Sequence, residues 1–173
     1  MPIALKPVAI ENQFDGCASV LIVPCQVCPK MCLAAESGRP FIGMTAGDGN
    51  DPLAAHITAM RETLGAKGIR TSVFRPPATS PMMCLWPARV RESLAKESEK
   101  HDALAVIGCE SATATAESAA GKSGKAVIQV MKNEGMANFI AKFSFPCSVE
   151  LAPGPRGTIP WPGQPTGGTS ATE

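Results

Sequence analysis

A chain of 173 residues, 45% of them hydrophobic, is long enough for one domain with its own core and too short for two ordinary domains. With 16 basic and 15 acidic residues, no block of Lys or Arg and 5% aromatic residues, it has neither a nucleic acid nor a membrane surface as an obvious partner. No run reaches the roughly 18 apolar residues of a membrane span, and the amino-terminal stretch lacks a secretory pattern. These features predict a cytoplasmic location.

The first predicted elements follow an amino-terminal extension of residues 1–18. Residues 19–24, Ser-Val-Leu-Ile-Val-Pro, form a short apolar run typical of an internal parallel strand. A C-x2-C-x3-C segment and a Gly-rich loop come next. Asp51 and Pro52 then have the pattern of a helix start, an N-cap followed by Pro at the first position. The apolar spacing that follows predicts a helix that ends near Gly65.

The rest of the chain continues this alternation of strands and helices. Strands are predicted at 69–75, 103–108 and 125–131, with a fifth apolar element at 139–145, and Trp86, Val90 and Leu94 share one face of a predicted helix. Residues 153–173 are rich in Pro and Gly and predict a disordered or extended tail. We therefore expect an α/β domain over residues 19–152, a mainly parallel open sheet with Rossmann-like or flavodoxin-like layering.

Seven cysteines are the most informative residues of this chain. In the cytoplasm their thiols stay reduced, and an odd number at uneven spacing makes a poor disulfide framework. Metal ligation or redox chemistry is the leading explanation for them. They are Cys17, Cys25, Cys28, Cys32, Cys84, Cys109 and Cys147.

Most of these cysteines follow predicted strands, and this placement predicts where they meet. Cys25 follows the first strand, Cys84 lies in the connection after the second, Cys109 follows the third, and Cys147 comes after the last apolar run. Open α/β sheets bind their ligands outside the carboxyl ends of the strands. We expect cysteine-rich loops at that edge. Because gathered thiolates repel one another unless a cation or cluster neutralises them, a metal centre is the economical interpretation.

The spacing of the first three cysteines narrows the kind of centre. C-x2-C-x3-C is similar to the later part of the bacterial ferredoxin run, although the first Cys and the closing Pro of that run are missing. Three ligands from this segment and a fourth from elsewhere would hold a [4Fe-4S] cluster or tetrahedral zinc. The cluster is favoured, because structural zinc sites usually consist of two separated C-x2-C pairs.

Three alternatives remain open at this point. The chain is a zinc-thiolate structural or regulatory domain, a thiol redox protein that uses Cys25 and Cys28 as a C-x2-C pair, or a protein whose cysteines are simply buried free thiols. No Ser/His/Asp or Cys/His arrangement and no Rossmann glycine fingerprint accompany the cysteines. This pattern favours a non-catalytic subunit of an oxidoreductase complex over an independent enzyme.

Several segments together resemble a known family. The stretch "VLIVPCQVCPKMCLA", a cysteine after the second strand, "DALAVIGCESATATA" and a late "FSFPC" are similar to the small iron-sulfur (MetV-type) subunit that accompanies methylenetetrahydrofolate reductase. The resemblance covers residues 19–151. It implies an iron-sulfur accessory subunit, active in electron transfer or assembly, of a flavin-dependent methylenetetrahydrofolate reductase or another one-carbon transfer enzyme. It implies as cluster ligands Cys25, Cys28, Cys32, Cys109 and Cys147, with Cys84 as a further candidate.

Overall fold

The structure is a computed structural model that describes residues 3–38, 41–42, 51–121, 124–144 and 148–160. Strands and helices alternate over most of this length. The strands are β1 (Ile3–Pro7), β2 (Ser19–Pro24), β3 (Phe41–Ile42), β4 (Arg70–Val73), β5 (Ala103–Ile107), β6 (Ala126–Gln129), β7 (Met131–Ser144) and β8 (Ser148–Ile159). The helices are α1 (Cys28–Ser37), α2 (Pro52–Ala66), α3 (Ala88–Ser98) and α4 (Glu110–Ala120), with a short 3-10 helix at Met83–Leu85.

The first sheet is parallel throughout and confirms the α/β prediction. Its strand order is β4-β2-β5-β6, with β2 paired to β4 on one side and to β5 on the other. Every residue of β2 and of β5 is buried, as the uninterrupted apolar runs of these strands predict. These two central strands form the middle layer of the domain.

Helices cover both faces of this parallel sheet. On one face, Val20 and Ile22 of β2 pack with Leu53 and Leu64 of α2. On the other face, Leu21 and Val23 of β2 and Leu104 of β5 pack with the apolar sides of α3 and α4. The connection from β2 to β4 uses α2, and the connection from β5 to β6 runs the other way across the sheet and uses α4. Because the two connections run in opposite directions on opposite faces of the sheet, both crossovers have the same handedness.

A second sheet corrects the prediction of a mainly parallel fold. This sheet has the order β1-β7-β8-β3 and is antiparallel. Its first strand, β1, lies in the stretch predicted as an amino-terminal extension, and β7 covers the fifth predicted element. β8 continues to Ile159, past the start of the predicted tail at Pro153. Residues 161–173 of that tail lie outside the described residues. β1 pairs with β7 and β3 pairs with β8 over long sequence separations, which local patterns do not reveal.

The start of α2 agrees with the sequence and also joins two helices. Asp51 is the N-cap, and its carboxylate accepts hydrogen bonds from the amides of Leu53 and Ala54, with Pro52 at the first position. The other carboxylate oxygen of Asp51 lies 2.9 Å from Nζ of Lys30 on α1, and both side chains are buried. This ion pair fixes α1 against the start of α2.

The expected cysteine-rich loops are not confirmed. Cys28 and Cys32 lie on α1 and Cys84 lies on the 3-10 helix, so of these five only Cys25 and Cys109, the N-cap of α4, stand outside a helix. Cys147 lies outside the described residues. Within the described ranges, no helix combines the length and apolar character needed to cross a bilayer.

Candidate metal centre

The candidate site lies at the carboxyl edge of the parallel sheet, between β2 and β5. The chain leaves β2 toward β4 and leaves β5 toward β6, so the two connections diverge from neighbouring strands. In open α/β sheets such a divergence leaves a crevice in which ligands bind. Cys25 follows β2 directly, and Cys109 stands two residues beyond the end of β5. Strand order therefore places these two cysteines on either side of the crevice.

Backbone hydrogen bonds position Cys25. Its amide donates to the carbonyl of Ile107 at 2.9 Å, which extends the pairing of β2 with β5 by one residue. The next amide, of Gln26, donates to the carbonyl of Pro81 at 2.9 Å. The Cys25 sulfur itself lies 3.9 Å from that carbonyl oxygen. The Cys25 loop is thereby tied to the segment that carries Cys84.

The 3-10 helix with Cys84 is anchored by Trp86. Its indole nitrogen donates to the carbonyl of Ser80 at 2.8 Å, and its ring packs on Phe74 with the centroids 5.5 Å apart. The side chain of Arg91 donates to the carbonyl of Trp86 at 3.1 Å. Trp86 is buried, while Cys84 is exposed. The turn thus presents Cys84 at the surface on a fixed base.

Cys28 and Cys109 both stand at the amino ends of helices. Cys28 is the first residue of α1, and Cys109 is the N-cap of α4. Neither helix has a side-chain cap on its first amides, and helix amino ends favour negative charge. The carbonyl of Cys109 accepts hydrogen bonds from the amide and the hydroxyl of Thr113. These two helix ends are suited to stabilise anionic sulfur.

The thiols are near enough to affect one another's ionisation. Burial raises the pKa of the Cys25 thiol, backbone hydrogen bonds at Met83 and Val27 oppose the rise, and the charges of Cys28 and Cys109 add to it. Burial also raises the pKa of Cys28, opposed by the backbone of Ile3 and reinforced by the charges of Cys109 and Cys84. These effects link the four cysteines 25, 28, 84 and 109, called here the thiol cluster, and the charge of Cys28 also reaches Cys32.

Cys32 differs from the members of the thiol cluster in its partners. Its sulfur accepts a hydrogen bond from the amide of Leu5 and its thiol donates to the carbonyl of Ile3, each at 3.3 Å. Burial raises its pKa to about 11, against the effect of the Leu5 amide and with further contributions from Cys28 and Glu36. Cys32 therefore fastens α1 to β1 as a neutral thiol, although one turn of helix separates it from Cys28.

The six residues predicted as ligands thus have different positions. Four of them make up the thiol cluster, Cys32 faces β1, and Cys147 lies outside the described residues. Across the described ranges, no three His, Cys, Asp or Glu side chains surround a position for a single metal ion. The donors of the thiol cluster, thiols from three separate segments, match in kind the ligands of iron-sulfur and zinc-thiolate centres.

Two features beside the site were not recognised in the sequence. Gly108 lies between β5 and Cys109, and a Cβ atom there would lie 2.6 Å from the Cβ of Ala112 and 3.6 Å from that of Cys25. The sequence signal for this close approach was a glycine between a buried strand and a cysteine. The hydroxyl oxygen of Thr113 also lies 3.0 Å from the side-chain oxygen of Gln129, which places α4 against the end of β6. No local pattern indicates that second contact.

The comparisons with known proteins identify no relative, so the functional assignment depends on the site itself. No protein-family model, no curated protein and no solved structure matches this chain.

Proposed function

We propose that the chain is an iron-sulfur protein whose thiol cluster holds a [4Fe-4S] cluster at the crevice between β2 and β5. We further propose that it is an accessory subunit of a folate-dependent one-carbon enzyme such as methylenetetrahydrofolate reductase, in electron transfer or assembly. The observation that carries the first proposal is the electrostatic coupling of cysteines from three separate segments. The second rests on the sequence resemblance over residues 19–151.

The coupling favours a bound positive group. Burial and the neighbouring thiols raise the pKa of Cys25 and Cys28, so their thiolates are costly to keep charged, and metal coordination removes their protons and neutralises the sulfur. The uncapped amino ends of α1 and α4 supply amide dipoles to the same crevice. Amides directed at cluster sulfur stabilise its negative charge and influence its reduction potential.

In this proposal Cys32 positions α1, and Cys84 is the fourth ligand of the cluster. The sulfur of Cys32 already has an amide donor and a carbonyl acceptor on β1. Cys84 instead affects the ionisation of Cys28 and has a solvent-exposed side chain. We therefore propose the thiol cluster in place of the sequence-based set of Cys25, Cys28, Cys32, Cys109 and Cys147; Cys147 lies outside the described residues.

Zinc-thiolate and thiol-redox functions are the other candidates. A four-cysteine zinc site uses the same donors, but such sites usually consist of two C-x2-C pairs, and the thiol cluster contains one pair and two single cysteines. Reactive C-x2-C thiols have a lowered pKa. Burial raises the pKa of both Cys25 and Cys28, which disfavours redox catalysis by this pair.

The test is the metal and sulfide content of anaerobically purified protein and of single cysteine variants. We expect about four irons and four sulfides per chain, with absorption near ~400 nm. Alanine variants of the four cysteines 25, 28, 84 and 109 should lose most of this iron. Cys17→Ala and Cys32→Ala are the matched controls and should retain it.

Three results would refute parts of this proposal. Stoichiometric zinc in anaerobic, colourless protein would replace the cluster with the zinc alternative. Loss of iron in Cys32→Ala, with full retention in Cys84→Ala, would restore the sequence-based ligand set. The subunit role requires a stable complex with a co-expressed methylenetetrahydrofolate reductase on size exclusion, and separate elution of the two proteins would contradict it.

A further inference from the structure

The surface around Cys84 combines features of a docking site. Met82 and Leu85 flank Cys84 on the 3-10 turn, with side chains 37% and 69% exposed. In the described part of the chain, Ile140 is the one other large hydrophobic side chain that is comparably exposed. Two of the three such residues therefore border the one exposed member of the thiol cluster.

The charge around this turn is positive on one side. Residues 71–91 contain three arginines and no Asp or Glu. Arg75 follows Phe74 and Arg89 lies three residues beyond Trp86, so both exposed arginines belong to the segments that meet where the rings of Phe74 and Trp86 pack. On the opposite side, α4 contacts the 3-10 helix and begins with the exposed Glu110.

The turn is also rigid, which favours specific contact. Trp86 is buried and its indole donates to the carbonyl of Ser80, while Arg91 holds the Trp86 carbonyl from α3. Exposed apolar groups on a fixed base lose little conformational freedom when a partner covers them. Small apolar contacts with complementary charge at the rim are characteristic of transient redox complexes.

We propose that this surface, made of Met82, Cys84 and Leu85 with Arg75 and Arg89, is the docking site for a small acidic electron-carrier protein. The inference rests on the proposed iron-sulfur function, because Cys84 is the cluster ligand nearest to solvent. The arginines select a partner with carboxylates around its exposed redox group. Glu110 orients that partner, since its carboxylates bind on the arginine side.

The experiment measures binding of the full chain to immobilised oxidised flavodoxin, an acidic protein with a flavin at its exposed edge. Biolayer interferometry gives the Kd at low and high ionic strength. We expect the Kd to rise with salt, because charge attraction between exposed groups is screened. Leu85→Ser and Arg89→Glu should each raise the Kd at low salt by at least about tenfold.

Matched control variants use exposed residues outside this surface. Lys96→Glu makes the same charge reversal on α3, and Ile140→Ser removes an apolar side chain from β7. Both should keep the Kd within about twofold of the unchanged chain. Equal weakening by the controls, or a Kd that neither salt nor the two docking variants alter, would overturn the inference.

Two further measurements separate this inference from the proposed function and from self-association. Iron is measured on the same preparations: iron-free protein overturns the cluster assignment, whereas full iron content without flavodoxin binding overturns the docking surface alone. Analytical ultracentrifugation tests whether a second copy of the chain occupies this surface instead. A dimer of the unchanged chain that Leu85→Ser dissociates would show a second copy on this surface and would refute the acidic carrier.

Discussion

Replacing Gly108 with alanine should displace one half of the thiol cluster from the other. The added Cβ would lie 2.6 Å from the Cβ of Ala112, whereas carbon atoms in favourable contact are about 3.5–4.0 Å apart. The backbone of Gly108 is outside the left-handed region, so steric contact alone decides the effect. Relief of the contact moves the first turn of α4 by about 1 Å. That turn also carries Cys109.

The expected cost combines two opposing effects. Overpacking of a close contact costs about 1–3 kcal/mol, and the reduced freedom of the unfolded chain returns about 0.4–1 kcal/mol. With the middle of each range, the net loss in the free energy of unfolding is about 1.3 kcal/mol. Because Cys109 moves away from Cys25, the iron content of the purified protein should fall as well.

The assay is urea unfolding together with metal analysis, with a control at the other end of α4. Gly121 has open space around a built Cβ and an ordinary helical φ of −59°. Gly121→Ala should leave the unfolding midpoint and the iron content nearly unchanged. Adding Ala112→Gly to Gly108→Ala should restore part of the iron. Equal midpoints and equal iron content for Gly108→Ala and Gly121→Ala would refute this steric reasoning.

Two further predictions concern charged side chains that stabilise the fold. Lys30→Met leaves the buried Asp51 carboxylate without its ion-pair partner and should lower the free energy of unfolding in urea by about 3–5 kcal/mol. The control is Lys100→Met, which removes an exposed ion pair. Equal unfolding midpoints for the two variants would contradict the reasoning. The amides of Ala18 and Ser19 and the Ser19 hydroxyl hold the pKa of Asp102 below its usual value. This stabilisation is present above about pH 4 and is lost as the pH falls through the folded-state pKa, so the stability difference between the protein and Asp102→Asn should shrink between about pH 5 and pH 3. A constant difference over that range would exclude Asp102 as its source.

The parallel sheet was predictable because its signals are local. Residues 19–24 form an uninterrupted apolar run, which is stable as a strand only when both faces are covered, and β2 is buried along its whole length. Asp51 followed by Pro52 marks a helix start through chemistry that involves neighbouring residues alone. The general rule for strand ends also placed Cys25 and Cys109 at one edge, where β2 and β5 are neighbours.

The antiparallel sheet and the role of Cys32 were not predictable in the same way. β1 pairs with a distant strand, Ile3 with Met136 and Pro7 with Met131, and β7 and β8 contain glycine and proline that interrupt the alternation of a typical strand. Cys28 and Cys32, four residues apart on α1, share one helix face. The partners of the Cys32 thiol lie on β1. Because β1 was not predicted, the spacing alone gave no reason to assign different roles to Cys28 and Cys32.

The pairing of β1 with β7 also has a consequence for the order in which the protein is assembled during its synthesis. β1 leaves the ribosome well before its pairing partner β7, which follows β6, the last strand of the parallel sheet. Until then the backbone of Ile3 and Leu5 has no strand to hold it against α1, and the Cys28 and Cys32 face of that helix stays open. Arrival of β7 closes this face. Any event that needs the Cys28 and Cys32 face of α1 to be open therefore has a defined interval, which ends when residues 131–136 pair with β1.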